Sequence, residues 1–207
     1  MERQRLAALV AVVGIGMFGA AISARGQLNP WWTNAGVAVL VLIASASVLR
    51  RRLASQLKVR WRLLLWAVLL GAAMVAATHL CFGLVTRLIP GLEQTVVSLY
   101  GEIGVQSPGP IASVLLILVV VLAEEALWRG LAVELFVARL GQLRTGIVVV
   151  LLYAVPQLIG GDWVLLAAAL GAGTVFTVQR LVTGSLMAPI ATHAIWSACI
   201  FSLIPLA

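Results

Sequence analysis

The sequence predicts an all-α polytopic membrane helix bundle with about seven transmembrane helices. Of its 207 residues, 62% are hydrophobic and only 10% are charged. Apolar runs of about 20 residues recur along the chain, and each is long enough to cross a bilayer as a helix. A chain of this length has room for one integral membrane domain. We divide it into N-terminal helices with an extracytoplasmic loop (1–110) and a second group of helices (111–207).

The individual helices follow from the apolar runs and the breaks between them. We expect helices near 6–24, 31–49, 63–86, 111–140, 145–159, 163–179 and 184–204. Segment 87–110 is rich in proline and charge, which predicts a loop with a short interfacial helix. Pro156 and Pro189 fall inside the last part of the chain and should free the carbonyls of Leu152 and Ser185. Such breaks are tolerated next to a cavity or to other polar groups.

Basic residues orient the predicted bundle. Those between the second and third helices are Arg50, Arg51, Arg52, Lys58, Arg60 and Arg62. The positive-inside rule makes this connection cytoplasmic, together with the N-terminus, which carries Arg3 and Arg5. Arg139, Arg144 and Arg180 then fall on the same side. The net charge of +7 therefore reflects topology and attraction to the lipid bilayer. Because the charges form collars at the membrane, we expect no nucleic-acid partner.

A short charged motif interrupts the fourth predicted helix. It reads Glu124-Glu125-Ala126-Leu127-Trp128-Arg129, inside an otherwise apolar run. Charges at bilayer depth are costly and usually mark functional sites that face protein or water. Glu125 precedes Arg129 by four residues, so we expect these two to pair on one helix face. Glu124 then lacks an obvious local partner, which is typical of a general base. The alternative is an ion pair that only holds helices together.

Two further polar sites lie at the same predicted depth as Glu124. Glu124, Gln157 and His193 are each 13–15 residues from a basic residue at the cytoplasmic face. At 1.5 Å per residue, each lies roughly 20 Å above that face. We therefore expect three helices to place polar side chains at one level, near the middle of the bilayer. His193 and Ser197 share a helix face, and both could donate to a developing oxyanion.

Three short motifs in the second half of the chain carry a family resemblance. The first is Glu-Glu-x-x-x-Arg, which Glu124, Glu125 and Arg129 match in full. The second is an aromatic residue followed four residues later by histidine. Here Tyr153 keeps the aromatic residue, and Gln157 replaces the histidine. The first motif is unusual inside a membrane helix and is therefore fairly specific.

The third motif is His-x-x-x-Asn or Asp, in which His193 is kept and Ser197 replaces the partner. Over about 110–204, the chain thus resembles the CAAX-protease and bacteriocin-processing (CPBP) family of glutamic intramembrane proteases, which includes the Rce1-type prenyl-protein proteases. The resemblance implies that Glu124 activates a water for attack on a peptide bond, and that the third-motif residues stabilise the oxyanion. Gln157 can hydrogen-bond that water but cannot take its proton.

The resemblance leaves two functions open. The chain is either an intramembrane endopeptidase acting on a peptide or protein substrate at the membrane, or a non-catalytic relative. The latter would bind a peptide as an immunity or partner protein. A transporter also explains buried Glu and His, but no inverted repeat is visible. We expect no cofactor. Zinc is left open, although the lost histidine removes its best additional ligand. We expect the protein in the bacterial inner (cytoplasmic) membrane, with the N-terminus in the cytoplasm.

Overall fold

The structure, a computed structural model, describes residues 2–206 and contains no β-strand among them. The helices are α1 (Glu2–Ser23), α2 (Pro30–Gln56), α3 (Trp61–Val85), α4 (Leu92–Val105), α5 (Pro110–Glu124), α6 (Val133–Ile159), α7 (Trp163–Thr183) and α8 (Met187–Ala198). A π-helical segment, πA (Glu125–Ala132), joins α5 to α6, and a second, πB (Cys199–Leu203), follows α8. The all-α prediction is confirmed. The side chains of Arg3 and Arg51, two members of the predicted collar, lie outside the described part.

The helices are long and apolar enough for a polytopic membrane protein. Within residues 2–206, five helical segments meet that criterion by length and composition. One of them, Pro110–Ile159, has 50 residues and would measure about 75 Å, more than twice a hydrocarbon core. Gly141 breaks it into two passes, because its φ of 72° and ψ of 175° are not helical. With the shorter apolar segment Met187–Leu203, the passes agree with the seven predicted.

Contacts between connections group the helix ends into two sets. At one end, Arg25 Nη2 lies 3.1 Å from Asp162 Oδ2, which ties the α1–α2 connection to the α6–α7 connection. At the other end, Gln56 donates to Glu134, and its carbonyl accepts from the Leu186 amide at 2.9 Å. This grouping is the one that alternating passes require. Which end faces the cytoplasm stays a prediction.

The segment before α5 holds a short helix, as expected from its prolines and charges. Helix α4 has 14 residues, and Tyr100 on it donates from its hydroxyl to the Ile200 carbonyl at 2.8 Å. Burial raises the pKa of Tyr100 to about 12, so its phenol remains a donor at neutral pH. This bond fastens α4 to the πB segment at the end of the bundle.

The last helix begins three residues later than predicted, and one expectation changes with it. Gly184, with a φ of 67°, ends α7 in the left-handed conformation. Helix α8 then starts at Met187, so Pro189 lies in its first turn, where backbone amides have no partner within the helix. Pro189 therefore does not interrupt the interior of a helix, as the predicted range 184–204 required, because Ser185 precedes α8. Pro156 does lie inside α6.

Candidate active site

The charged motif forms the πA segment rather than a continuous α-helix. All eight residues of πA are buried, and the side chains of Glu125 and Arg129 have no exposed surface. A π-helical turn is rare and often marks a functional site. The segment follows Glu124, the last residue of α5. The change in helical period therefore falls at the pair of carboxylates.

Glu125 and Arg129 form the ion pair that their spacing predicts. Arg129 Nη1 lies 3.1 Å from Glu125 Oε1, and Arg129 Nη2 donates to the Gly173 carbonyl at 3.1 Å. The Arg129 carbonyl in turn accepts from Arg180 Nε at 2.9 Å. Arg180 is buried in the last turn of α7 and supports πA from within the bundle. A fully buried ion pair needs such extra hydrogen bonds to offset desolvation.

Aromatic rings enclose the guanidinium of Arg129. Its Cζ lies 4.4 Å from the centre of the Tyr153 ring and 5.3 Å from that of Phe176. Phe176 also stacks on the imidazole of His193, with ring centres 4.3 Å apart and planes at 21°. Cation–π contacts strengthen when they are shielded from water. The rings therefore fix both Arg129 and His193 in the interior.

His193 connects the two carboxylates. Its Nδ1 lies 2.8 Å from Glu125 Oε1, within hydrogen-bond distance, and its Nε2 lies 3.7 Å from Glu124 Oε2. Because a carboxylate is an acceptor, Nδ1 carries the proton in the bond to Glu125. The same Glu124 oxygen accepts a hydrogen bond from the Tyr153 hydroxyl at 3.0 Å. Glu124 is thus held from two sides, by α6 and by α8.

A cavity of about 200 Å³ opens in front of Glu124. The polar residues that line it are Arg25, Asn34, Glu124, Tyr153, Gln157, His193 and Ser197. Gln157 Oε1 is buried and has no hydrogen-bond partner among the described residues, so it is available to a water or a substrate amide. Of the six residues predicted for the site, four line this cavity. Glu125 and Arg129 lie behind them as the buried ion pair.

Sequence reasoning missed the part played by Phe176, Arg180 and the hydroxyl of Tyr153. An aromatic residue in a membrane helix is ordinary, so composition gave no signal for Phe176. Gly171 and Gly173 were expected to let their helix pack tightly, and the close contact is at Gly173. Arg180 was placed in the cytoplasmic collar by its position near a helix end. The sequence analysis used only the aromatic ring of Tyr153. Its hydroxyl, which lies 3.0 Å from Glu124 Oε2, is the one feature from which a contact could have been predicted.

Gly173 brings α7 close to the site, and its substitution is a sharp test of this packing. A Cβ at this position would lie 2.6 Å from Tyr153 Cδ1 and 3.4 Å from Arg129 Nη2. We expect Gly173→Ala to destabilise the fold by about 1–3 kcal/mol through overpacking. Gly171→Ala on the same helix is the matched control, because a Cβ there meets nothing within 4 Å. Thermal unfolding in detergent measures both, and equal melting temperatures would contradict the packing described here.

The helical fold and this cavity define a polytopic membrane protein with a buried carboxylate–histidine site. Residues 106–199 match the family model described as type II CAAX prenyl endopeptidase Rce1-like. This part of the chain is therefore similar to the CAAX-protease family, as its motifs predicted, and the long apolar helices support an integral membrane protein. No curated protein and no solved structure matches the chain at a significant level.

Proposed function

We propose that the protein is an intramembrane endopeptidase in which Glu124 activates a water molecule. The observation that carries this proposal is the position of the Glu124 carboxylate. It lines the cavity and is oriented by the Tyr153 hydroxyl on one side, with His193 Nε2 on the other. A general base must lie within reach of the proton it removes and be held in place. The similarity of residues 106–199 to the family supports a peptide or protein substrate at the membrane.

In the proposed reaction, Glu124 takes a proton from water as the water oxygen bonds to the carbonyl carbon of the peptide. The carbonyl oxygen becomes an oxyanion, which His193 and the Ser197 hydroxyl are placed to stabilise from one helix face. Glu124 then gives its proton to the leaving amide nitrogen as the C–N bond breaks. Gln157 accepts a hydrogen bond through its unpartnered Oε1 and positions the water or the peptide amide.

The two carboxylates support the role assigned to His193. Its Nδ1 lies 2.8 Å from Glu125 Oε1, and its Nε2 faces Glu124 Oε2 at 3.7 Å. A carboxylate oxygen is an acceptor, so both ring nitrogens are placed to donate a hydrogen bond. The ion pair behind the cavity thereby fixes the orientation of the oxyanion donor.

Zinc does not fit the residues present. A catalytic zinc takes three protein ligands and a water. The cavity presents two such groups, Glu124 and His193, while Glu125 Oε1 is held by Arg129 and His193 Nδ1. Among residues 2–206, no group of three or more His, Cys, Asp or Glu side chains is arranged to hold a metal ion. The proposed steps therefore use water and side chains alone.

The test compares protein termini in the native host by mass spectrometry. Four strains are needed: the wild type, a deletion, Glu124→Gln, and Glu134→Gln as the matched control. Glu134 is a carboxylate near the same helical segment, but it bonds Gln56 at the end of the bundle, away from the cavity. We expect certain termini to vanish in both the deletion and Glu124→Gln strains and to persist with Glu134→Gln. Equal membrane levels of each variant are required for the comparison.

The opposite result identifies the second function. Gln157, in place of a histidine, favours a relative that binds a peptide without cleaving it, because an amide cannot take a proton at neutral pH. Termini that vanish in the deletion but persist with Glu124→Gln would overturn the protease and support the binding protein. Bulky substitutions in the cavity would then abolish the function while Glu124→Gln would not.

A further inference from the structure

The second family motif differs in this chain at its histidine position, and its aromatic position carries an additional polar group. Gln157 stands where the motif has histidine, and Tyr153, four residues earlier, carries a hydroxyl on the aromatic ring. Residues four apart on an α-helix share a face, and both side chains line the cavity. A polar donor therefore remains on this face of α6, one turn away from the altered position.

The hydroxyl of Tyr153 is placed against the carboxylate that the proposed reaction uses. It donates to Glu124 Oε2 at 3.0 Å, which is the oxygen that also faces His193 Nε2 at 3.7 Å. A hydrogen bond to a charged acceptor is shorter and stronger than one between neutral groups. With Oε2 held by Tyr153, the other oxygen, Oε1, is left to face the attacking water.

The ring that carries this hydroxyl is fixed on three sides. The Arg129 guanidinium lies over one face at 4.4 Å, and Trp128 contacts it edge-on with ring centres 6.0 Å apart. Gly173 packs so closely that a Cβ there would meet the ring at 2.6 Å. Tyr153 is 7% exposed. These contacts fix the position of the hydroxyl. The bond to Glu124 therefore costs little additional side-chain entropy.

We infer that Tyr153 is the positioning residue for Glu124, and that its hydroxyl supplies the hydrogen bond that a histidine at position 157 would otherwise provide. The inference rests on the proposed function, since it names a residue that acts through Glu124. It assigns the ring and the hydroxyl different tasks. The ring shields Arg129, and the hydroxyl orients the base.

Tyr153→Phe separates the two tasks, because it keeps the ring and removes the hydroxyl. We expect kcat on the peptide identified by terminus mapping to fall by about ten- to a hundredfold, with KM within about twofold, as for loss of a hydrogen bond to a charged group. The control is Tyr100→Phe, since Tyr100 is the other tyrosine and its hydroxyl bonds the Ile200 carbonyl outside this cavity. We expect it to retain wild-type kcat. The retained ring predicts that Tyr153→Phe melts close to the wild type.

The double variant Tyr153→Phe with Gln157→His restores the aromatic–histidine pattern of the family. We expect its kcat to lie within about threefold of that of Gln157→His alone, because the histidine then supplies the hydrogen bond that the tyrosine has lost. Such non-additivity shows that the two positions serve one task. A double variant as slow as Tyr153→Phe would overturn the inference that the Tyr153 hydroxyl replaces a histidine at position 157.

Infrared spectroscopy of the full chain in detergent tests the contact without any substrate. The difference between wild type and Glu124→Gln isolates the carboxyl band of Glu124. We expect Tyr153→Phe to shift this band and Tyr100→Phe to leave it in place. An unshifted band, or a Tyr153→Phe enzyme with wild-type kcat beside an inactive Glu124→Gln, would overturn the inference and leave the proposed function intact. If Glu124→Gln itself processed substrate, the proposed function would fail instead.

Discussion

Replacement of Arg129 by methionine is expected to destabilise the folded protein by about 3–5 kcal/mol, the range for removing one partner of a buried ion pair. Arg129 and Glu125 have no exposed surface, and their contact is 3.1 Å. Methionine fills much of the volume but leaves Glu125 charged in an apolar interior. It also removes the donor to the Gly173 carbonyl and the cation between the two rings.

The measurement is thermal unfolding in detergent, together with the amount of protein in the membrane. The double variant Glu125→Gln with Arg129→Met removes both charges and should recover part of the loss, because no unpaired carboxylate remains. Arg129→Lys should fall between, since one ammonium cannot reproduce the planar fork that bonds Glu125 and Gly173 together. Methionine and wild-type proteins that unfold at the same temperature would show that the pair contributes nothing to stability.

Replacement of His193 by asparagine is expected to lower kcat by about 10²–10³, the range for loss of one oxyanion donor. The asparagine amide can occupy the region of Nδ1, where it can still donate to Glu125, but it does not reach the region of Nε2. Because Nε2 is the atom beside Glu124 at 3.7 Å, the variant removes the group that faces Glu124. The stack on Phe176 is lost as well, which predicts a modest fall in melting temperature.

The matched variant is His193→Gln, whose amide reaches further and falls near the Nε2 position. We expect it to retain more kcat than asparagine while losing the bond to Glu125, which is 2.8 Å long in the wild type. Single-turnover rates on the peptide found by terminus mapping, with melting curves for each variant, separate activity from folding. An asparagine variant with wild-type kcat would exclude Nε2 from the reaction.

The residues that could be predicted from sequence are those whose chemistry conflicts with their surroundings. Glu124, Glu125 and Arg129 stand out because charge in an apolar run has few explanations, and their spacing alone predicts the ion pair. Equal distance from the basic residues also placed Glu124 and His193 at one level. Both side chains do line one cavity.

The features that escaped prediction depend on tertiary contacts. The πA segment has no propensity signature in the sequence. Phe176 matters only through its neighbours on other helices. The start of α8 was misplaced because Gly184, which ends α7, reads in sequence as one more small residue in an apolar run.

The residues that line the cavity come from different parts of the chain. Glu124, Gln157 and His193 lie within residues 106–199, the part that matches the family model. Other lining residues lie outside that match, among them Phe18, Ile22, Arg25, Pro30, Trp31 and Asn34. Under the proposed function, the residues that carry the chemistry and the residues that select the peptide therefore come from different parts of the chain. The first two helices can change which peptides are admitted while the carboxylate, the imidazole and their ion pair remain untouched.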